Sequence, residues 1–267
     1  MKALLGDYPV TKLFKQKSGF EFADVKLPQH AFKRVVRDLE FDFSELALVT
    51  YLLAKAHGKP YRLLPAVMTA RFQHPYLVFD SSKNSFSPGE MNGKRIGLRS
   101  YSVTTATWVR GLLAEEGVDL GSIRWVTFEE PHVAEFRDPP NVARAPADKD
   151  MVSMLLAGEL DAAIVGEIPK DERIRPVFGD PAAAAEAWRR KHGAIQINHM
   201  VVVKQGVPEK TISGIYDLLV KSKAAAGNPE MNPFGIEENR RNLEAAIDCV
   251  YRQNMIPRRF TVEELFQ

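Results

Sequence analysis

The 267 residues are enough for one large domain or two of ordinary size, and with 45% hydrophobic and 26% charged residues the composition is that of a globular chain. Lys and Arg total 36 against 34 Asp and Glu, a net charge of +2 that argues against a nucleic-acid binder. No apolar run approaches the roughly 18 residues that a membrane-spanning helix needs. The opening MKALLGDYPV has an apolar stretch too short for a secretory signal, so a cytoplasmic location is expected. The single cysteine, Cys249, sits in LEAAIDCVYRQ and reads as a buried structural thiol.

In chain order, KALLG (2–6) reads as a strand, and Asp7-Tyr8-Pro9 opens a helix through Lys17, with proline tolerated in the first turn. FADVKL (22–27) reads as a strand. HAFKRVVRDL (30–39) reads as a helix with Phe32, Val35, Val36 and Leu39 on one face. FDF (41–43) is a short strand, Ser44 stands at an N-cap position, and ELALVTYLLAKAHG (45–58) is a helix closing on glycine. YRLLPAV and PYLVFD are strands, and the polar SSKNSFSPGEMNG leads into strand KRIGLRS and helix TTATWVRGLLAEEG. IRWVTF is a strand, followed by a proline-rich loop, EEPHVAEFRDPPNVARAP. Helix DMVSMLLAGE, strand LDAAIVG, helix PAAAAEAWRRKHG and strand INHMVVVK follow, and the remainder is helical.

Strands alternating with helices predict an α/β fold of two lobes, each a mostly parallel sheet with helices on both faces. The expected division is residues 1–86 plus 199–267 for the first lobe and 87–198 for an inserted second lobe. A ligand cleft is expected between them, beyond the carboxyl ends of the strands.

Three strand-to-helix junctions point to a small anionic ligand: Gly6-Asp7-Tyr8, Asp42-Phe43-Ser44-Glu45, and Arg99-Ser100-Tyr101-Ser102-Val103-Thr104-Thr105. Helix N-termini offer unpaired N–H donors and a partial positive charge, and hydroxyls at Ser102, Thr104 and Thr105 add donors. Plain helix capping accounts for each of these residues taken singly. Arg71 and His74 lie three apart in TARFQHPYLVF, a bidentate carboxylate fork beside an imidazole or, as is more common, a surface arginine beside a packed histidine. His199 reads as a packed core imidazole or a ligand contact. The six histidines (His30, His57, His74, His132, His192 and His199) form no HExxH or HxH arrangement, and GxGxxG and GxxxxGK[ST] are both missing. Neither a metal nor another cofactor is expected.

RDLEFDFSELALVTYLLAKA, the Arg71-x-x-His74 segment, GKRIGLRSYSVTTATWVRGLLAEEGVDLGSIRWVT and NPFGIEENRRNLEAAIDCVYRQNMIPRRFTVEELF together resemble the 4,5-dihydroxyphthalate decarboxylase family. The chain departs from that pattern at GEIPKDERIRP and looks shorter between Lys17 and Phe20 and after Glu130. The resemblance implies a type-2 periplasmic-binding-protein fold and decarboxylation of a hydroxylated aromatic dicarboxylate, giving a protocatechuate-type product and CO2. It suits His74 as proton donor, Arg71 as carboxylate clamp, and Ser102, Thr104 and Thr105 as the seat of a second carboxylate. Glu45 would take the phenolic proton or orient His74. Two alternatives stay open: a solute-binding protein without chemistry, and another enzyme of this fold acting on a chorismate-derived acid. The expected partner is a small aromatic or dicarboxylate ligand, with homo-oligomerisation left open.

Overall fold

A computed structural model describes residues 1–267, and its strands form two sheets, one in each of two units. The first unit comprises Met1–Arg71, His132–Glu135 and Ala194–Gln267, and the second Phe72–Pro131 and Phe136–Gly193. The boundaries therefore fall at 71/72 and 193/194 rather than at 86/87 and 198/199. The physical reason is strand pairing. PYLVFD supplies a strand to the second sheet, and its apolar run does not say which sheet it joins. The return of residues 132–135 to the first unit has no counterpart in the expected division.

In the first unit, β1 (Lys2–Leu4), β2 (Glu21–Phe22), β3 (Phe43–Ala47), β4 (Tyr61–Ala70) and β11 (Ile197–Lys204) lie in the order β2-β1-β3-β11-β4, strands being numbered along the whole chain. β1 runs parallel to β2 and β3, whereas β11 runs antiparallel to both β3 and β4. Helices α1 (Pro9–Lys17), α2 (Phe32–Val36), α3 (Leu48–Ala56), α7 (Glu209–Ala225) and α8 (Ile236–Arg252) complete this unit. The Pro9 ring at the first helical position of α1 costs nothing, because that N–H has no intrahelical partner. α8 turns Leu243, Ala246, Ile247 and Val250 inward at helical spacing.

The second unit holds β5 (Leu77–Asp80), β6 (Arg95–Leu98), β7 (Arg124–Thr127), β8 (Val142–Arg144), β9 (Ala162–Ile164) and β10 (Ile174–Pro176), in the order β10-β5-β9-β6-β7-β8. β9, β6, β7 and β8 are parallel in succession, and β5 is antiparallel to β9 and β10. Its helices are α4 (Thr104–Glu115), α5 (Met151–Ala157) and α6 (Pro181–His192). α5 begins at Asp150, whose carboxylate accepts the Ser153 N–H at 2.9 Å, and ends at Gly158 with φ of 79°. The second sheet is thus mostly parallel, as the alternating pattern suggested, whereas the first is evenly mixed because β11 runs antiparallel to both of its neighbours. No helix is long and apolar enough to cross a membrane.

Four local expectations change. Ser44 and Glu45 lie inside β3, whose five residues are all buried, and α3 starts only at Leu48 with Ala47 as its N-cap. Ser44 is therefore not a helix cap, and Glu45 is not a first-turn acid. Pairing with β1 on one side and β11 on the other holds this segment extended against its helical composition. FADVKL contributes only the two residues of β2, and the helix expected over 30–39 is a 3-10 turn at Pro28–Ala31 followed by α2. β8 and β10, three residues each, carry too little alternation to stand out. Cys249 is half-buried on α8, with Gln253 Nε2 3.1 Å from its sulfur.

The core of the first unit contains a cluster of packed phenylalanines among aliphatic side chains. The Phe14 ring stacks on Phe43 at 5.4 Å and meets Phe20 edge-on at 5.8 Å, and Phe14 and Phe43 have no solvent exposure. Because the sheet and α1 close on this contact, Phe43→Ala is expected to destabilise the protein by about 3–5 kcal/mol, read from the urea midpoint at constant m-value. Phe43→Leu, which keeps most of the volume, should cost clearly less.

Candidate functional site

Glu45 is fully buried in the middle of β3. A carboxylate in that position must find donors, since an unpaired buried charge is strongly destabilising. Three meet it. Tyr8 Oη donates to Oε1 at 2.8 Å, His199 Nδ1 lies 2.6 Å from the same oxygen, and the Gly6 N–H donates to Oε2 at 2.9 Å.

Register explains why these residues converge. On β11, Val201 lies opposite Glu45 and His199 opposite Ala47. Glu45 and His199 are therefore diagonal neighbours on one face of an antiparallel pair. The β11–β4 pairing shifts register between Ile197 and His199, His199 and Met200, and Met200 and Val201. Irregularities of this kind re-aim side chains and are frequent beside functional sites. β1 runs parallel to β3 with Leu4 opposite Ser44, which carries the following Gly6-Asp7-Tyr8 loop to the Glu45 side chain. Gly6 is needed here for close approach: a Cβ on it would lie 2.5 Å from the Tyr8 ring.

With both carboxylate oxygens accepting, Nδ1 of His199 carries its hydrogen, which leaves Nε2 as the lone-pair nitrogen when the ring is neutral. The side chain of His199 is 17% exposed against 0% for Glu45, so the imidazole is the reachable end of the pair. Burial, and then the Glu45 charge, push the Tyr8 hydroxyl far above the usual tyrosine range, so it stays a donor.

A second imidazole stands close by. Phe32 meets His199 edge-on at 5.1 Å and His132 edge-on at 5.7 Å. His132 Nδ1 is 2.9 Å from Thr50 Oγ1 on α3, and Arg37 Nε donates to the His132 carbonyl at 2.9 Å. His132 escapes a sequence reading because it sits in a proline-rich loop with no periodicity. Nothing in EEPHVAEF marks its packing against α2 and α3. No group of three or more His, Cys, Asp or Glu side chains stands in an arrangement that would hold a metal ion.

Of the other residues singled out from the sequence, Asp7 is spent at the surface, its side chain 87% exposed and paired with Lys15 at 2.6 Å. Ser44 donates its hydroxyl to the Glu45 carbonyl at 2.6 Å. Arg71 closes the first stretch of the first unit, its N–H donating to the Gln196 carbonyl at 3.1 Å. In the second unit, Ser100, Tyr101, Ser102, Thr104 and Thr105 gather in the turn before α4 and in its first turn. No side chain caps that helix. The Ser100 hydroxyl is buried without a partner. Arg110, fully buried, pins this turn: its guanidinium lies 3.7 Å from the Tyr101 ring centroid and Nη1 donates to the Tyr101 carbonyl at 2.8 Å.

His74 also belongs to the second unit. Only 2% exposed, it packs edge-on to Phe178 at 5.1 Å, and its Nδ1 has no partner. Burial pulls its pKa down to about 4, only partly opposed by the Glu115 charge. At neutral pH it is an uncharged imidazole.

No protein-family model matches the chain. Over 197 residues it is 30% identical to the 4,5-dihydroxyphthalate decarboxylase of Comamonas testosteroni, covering 68% of this chain and 60% of that protein. Over 177 residues it is 30% identical to the 4,5-dihydroxyphthalate decarboxylase of Pseudomonas putida, covering 61% and 69%. The aligned part thus spans less than two thirds of the Comamonas protein. Among solved structures, a desulfurization enzyme superposes with a TM-score of 0.59 at 13% identity, over 99% of this chain and 95% of that one. The periplasmic aliphatic sulphonate binding protein of Escherichia coli gives 0.57 at 11%, over 100% and 91%. These likenesses show the expected periplasmic-binding-protein-like α/β fold, which here serves an enzyme in one case and a binding protein in the other.

The lowered His74 pKa has a consequence for stability. An unfolded histidine titrates near 6.5, so between that value and about 4 the unfolded chain binds a proton that the folded protein refuses. The His74 contribution is therefore fully present above pH 6.5 and is lost as pH falls toward 4. Urea midpoints measured across this window are expected to fall more steeply for the wild type than for His74→Asn.

Proposed function

Since the chain belongs to the 4,5-dihydroxyphthalate decarboxylase family, we propose that it is a carboxy-lyase that removes one carboxyl group from a hydroxylated aromatic dicarboxylate. The observation that carries the mechanism is the buried Glu45 carboxylate bonded to Nδ1 of the partly exposed His199. Loss of a ring carboxylate needs electron density at the carbon that bears it. A ring hydroxyl provides this once its proton is taken, so the reaction calls for no cofactor.

In the proposed sequence, Nε2 of His199 takes the phenolic proton, and Glu45 stabilises the imidazolium through the Nδ1 hydrogen bond. The phenolate raises electron density at the carboxyl-bearing carbon, which accepts a proton from water. The C–C bond then breaks, its electron pair returns to the ring, and CO2 leaves. His199 returns its proton to the phenolate oxygen, so the net change is one proton consumed per CO2 released. His199 replaces His74 as the proton carrier in this scheme, because an imidazole with a pKa of about 4 and 2% exposure has no proton to give at neutral pH. Arg71 is proposed as the cationic group for a substrate carboxylate. In the second unit, the first turn of α4, with Ser100, Tyr101, Ser102, Thr104 and Thr105, is proposed by itself as a seat for a carboxylate.

A second reading, binding without chemistry, draws support from the fold shared with the sulphonate-binding protein. One experiment separates the two. The protein is incubated with a panel of hydroxylated phthalates while CO2 release and binding are both followed. Turnover of at least one acid is expected, with His199→Gln lowering it by about 10²–10⁴ at retained affinity. Tight binding with no CO2 from any acid would leave the binding-protein reading standing. Arg71→Ala should raise KM before it lowers kcat, since a carboxylate clamp acts in the ground state as well.

A further inference from the structure

Glu45 Oε1 serves two donors at once. Tyr8 Oη reaches it at 2.8 Å and His199 Nδ1 at 2.6 Å, while the Gly6 N–H occupies Oε2 at 2.9 Å. A carboxylate oxygen that already accepts a phenolic hydrogen has less negative charge to offer an imidazolium. We propose that Tyr8, seated against Gly6, is a positioning residue that draws on Glu45 Oε1 and thereby sets how tightly His199 holds its proton. The proposal rests on the decarboxylase reading only for its kinetic arm.

The seat is built for this. The Tyr8 ring lies where a side chain on residue 6 would stand, with three of its atoms 2.5–2.6 Å from an ideal Cβ. Those atoms include the hydroxyl oxygen and the carbon bearing it, so any side chain at Gly6 would move the donor itself. At the other end of the loop Tyr8 is the N-cap of α1, its N–H donating to Thr11 Oγ1 at 2.9 Å and the Thr11 N–H donating to its carbonyl at 3.0 Å. The Tyr8 backbone is held at both its N–H and its carbonyl, and its phenol is held by the hydrogen bond to Glu45.

Elements on three sides of His199 supply its neighbours. From β3 it faces Glu45 and Ala47, and from β4 Thr69 lies opposite. From α2 it faces Phe32, whose ring also meets His132. Asp7, beside Tyr8 in sequence, is paired with Lys15 at 2.6 Å. The titratable groups that these contacts bring to His199 are Glu45 directly, Tyr8 through the shared Oε1, and His132 across the Phe32 ring.

The test titrates His199 by NMR in histidine-labelled protein, assigned through His199→Gln. Removing the phenolic hydroxyl in Tyr8→Phe is expected to raise the apparent pKa of the His199–Glu45 pair by about one unit. Gly6→Ala should raise it in the same direction by displacing the same donor. Tyr8→Phe combined with Gly6→Ala should add little beyond either change, the non-additivity of two changes acting through one hydrogen bond. The acidic limb of the kcat/KM profile should move with the NMR value. An unchanged or lowered pKa in folded Tyr8→Phe overturns the proposal, whatever Gly6→Ala does. If no acid is turned over, the decarboxylase reading fails while the NMR result still decides this one.

Discussion

The buried charge of Glu45 is the constraint around which the first unit is arranged. Taking a carboxylate fully out of water costs several kcal/mol unless its oxygens are met by donors in good geometry. That requirement fixes an antiparallel register between β3 and β11 that sets His199 diagonal to it. It also asks for a loop after β1 that presents a backbone N–H, and for a glycine small enough to let an aromatic ring approach. A change in any of these leaves an under-satisfied carboxylate in the middle of the sheet.

The sheet arrangement serves the same end. β11 is the strand that runs against its neighbours on both sides, and its pairing with β4 is irregular around His199. On this strand the His199 side chain is partly exposed while its Nδ1 stays on the carboxylate. Proton chemistry needs both: a reachable nitrogen, and a charge behind it.

The second unit is organised around a buried charge of the other sign. Arg110 lies against the Tyr101 ring and donates to the Tyr101 carbonyl, which holds the turn ahead of α4 in place. Aromatic faces and carbonyls satisfy a guanidinium without neutralising it. His74 meets the reverse situation: ringed by Phe72 and Phe178 with no acceptor at Nδ1, it is held uncharged. Two residues that look alike in a sequence, an imidazole at 74 and an imidazole at 199, thus differ in chemistry because one faces phenyl rings and the other a carboxylate.

Local sequence signals were sufficient for the α/β class, for most helices and their ends, and for the family. Caps such as Asp150, turn glycines such as Gly158 and apolar faces such as that of α8 act within a few residues, where sequence and geometry are tied directly. Tyr8, Glu45 and His199 were each visible as candidates, but their convergence was not, because it depends on strand register across 154 residues of chain between Glu45 and His199. The same holds for Ser44 and Glu45, whose segment has helical composition and is held extended by strands on both sides. It holds too for His132, brought to Phe32 by a loop without pattern. Tertiary structure alone decided these, since hydrogen bonding between distant strands outweighs the few tenths of a kcal/mol by which local propensity separates residues.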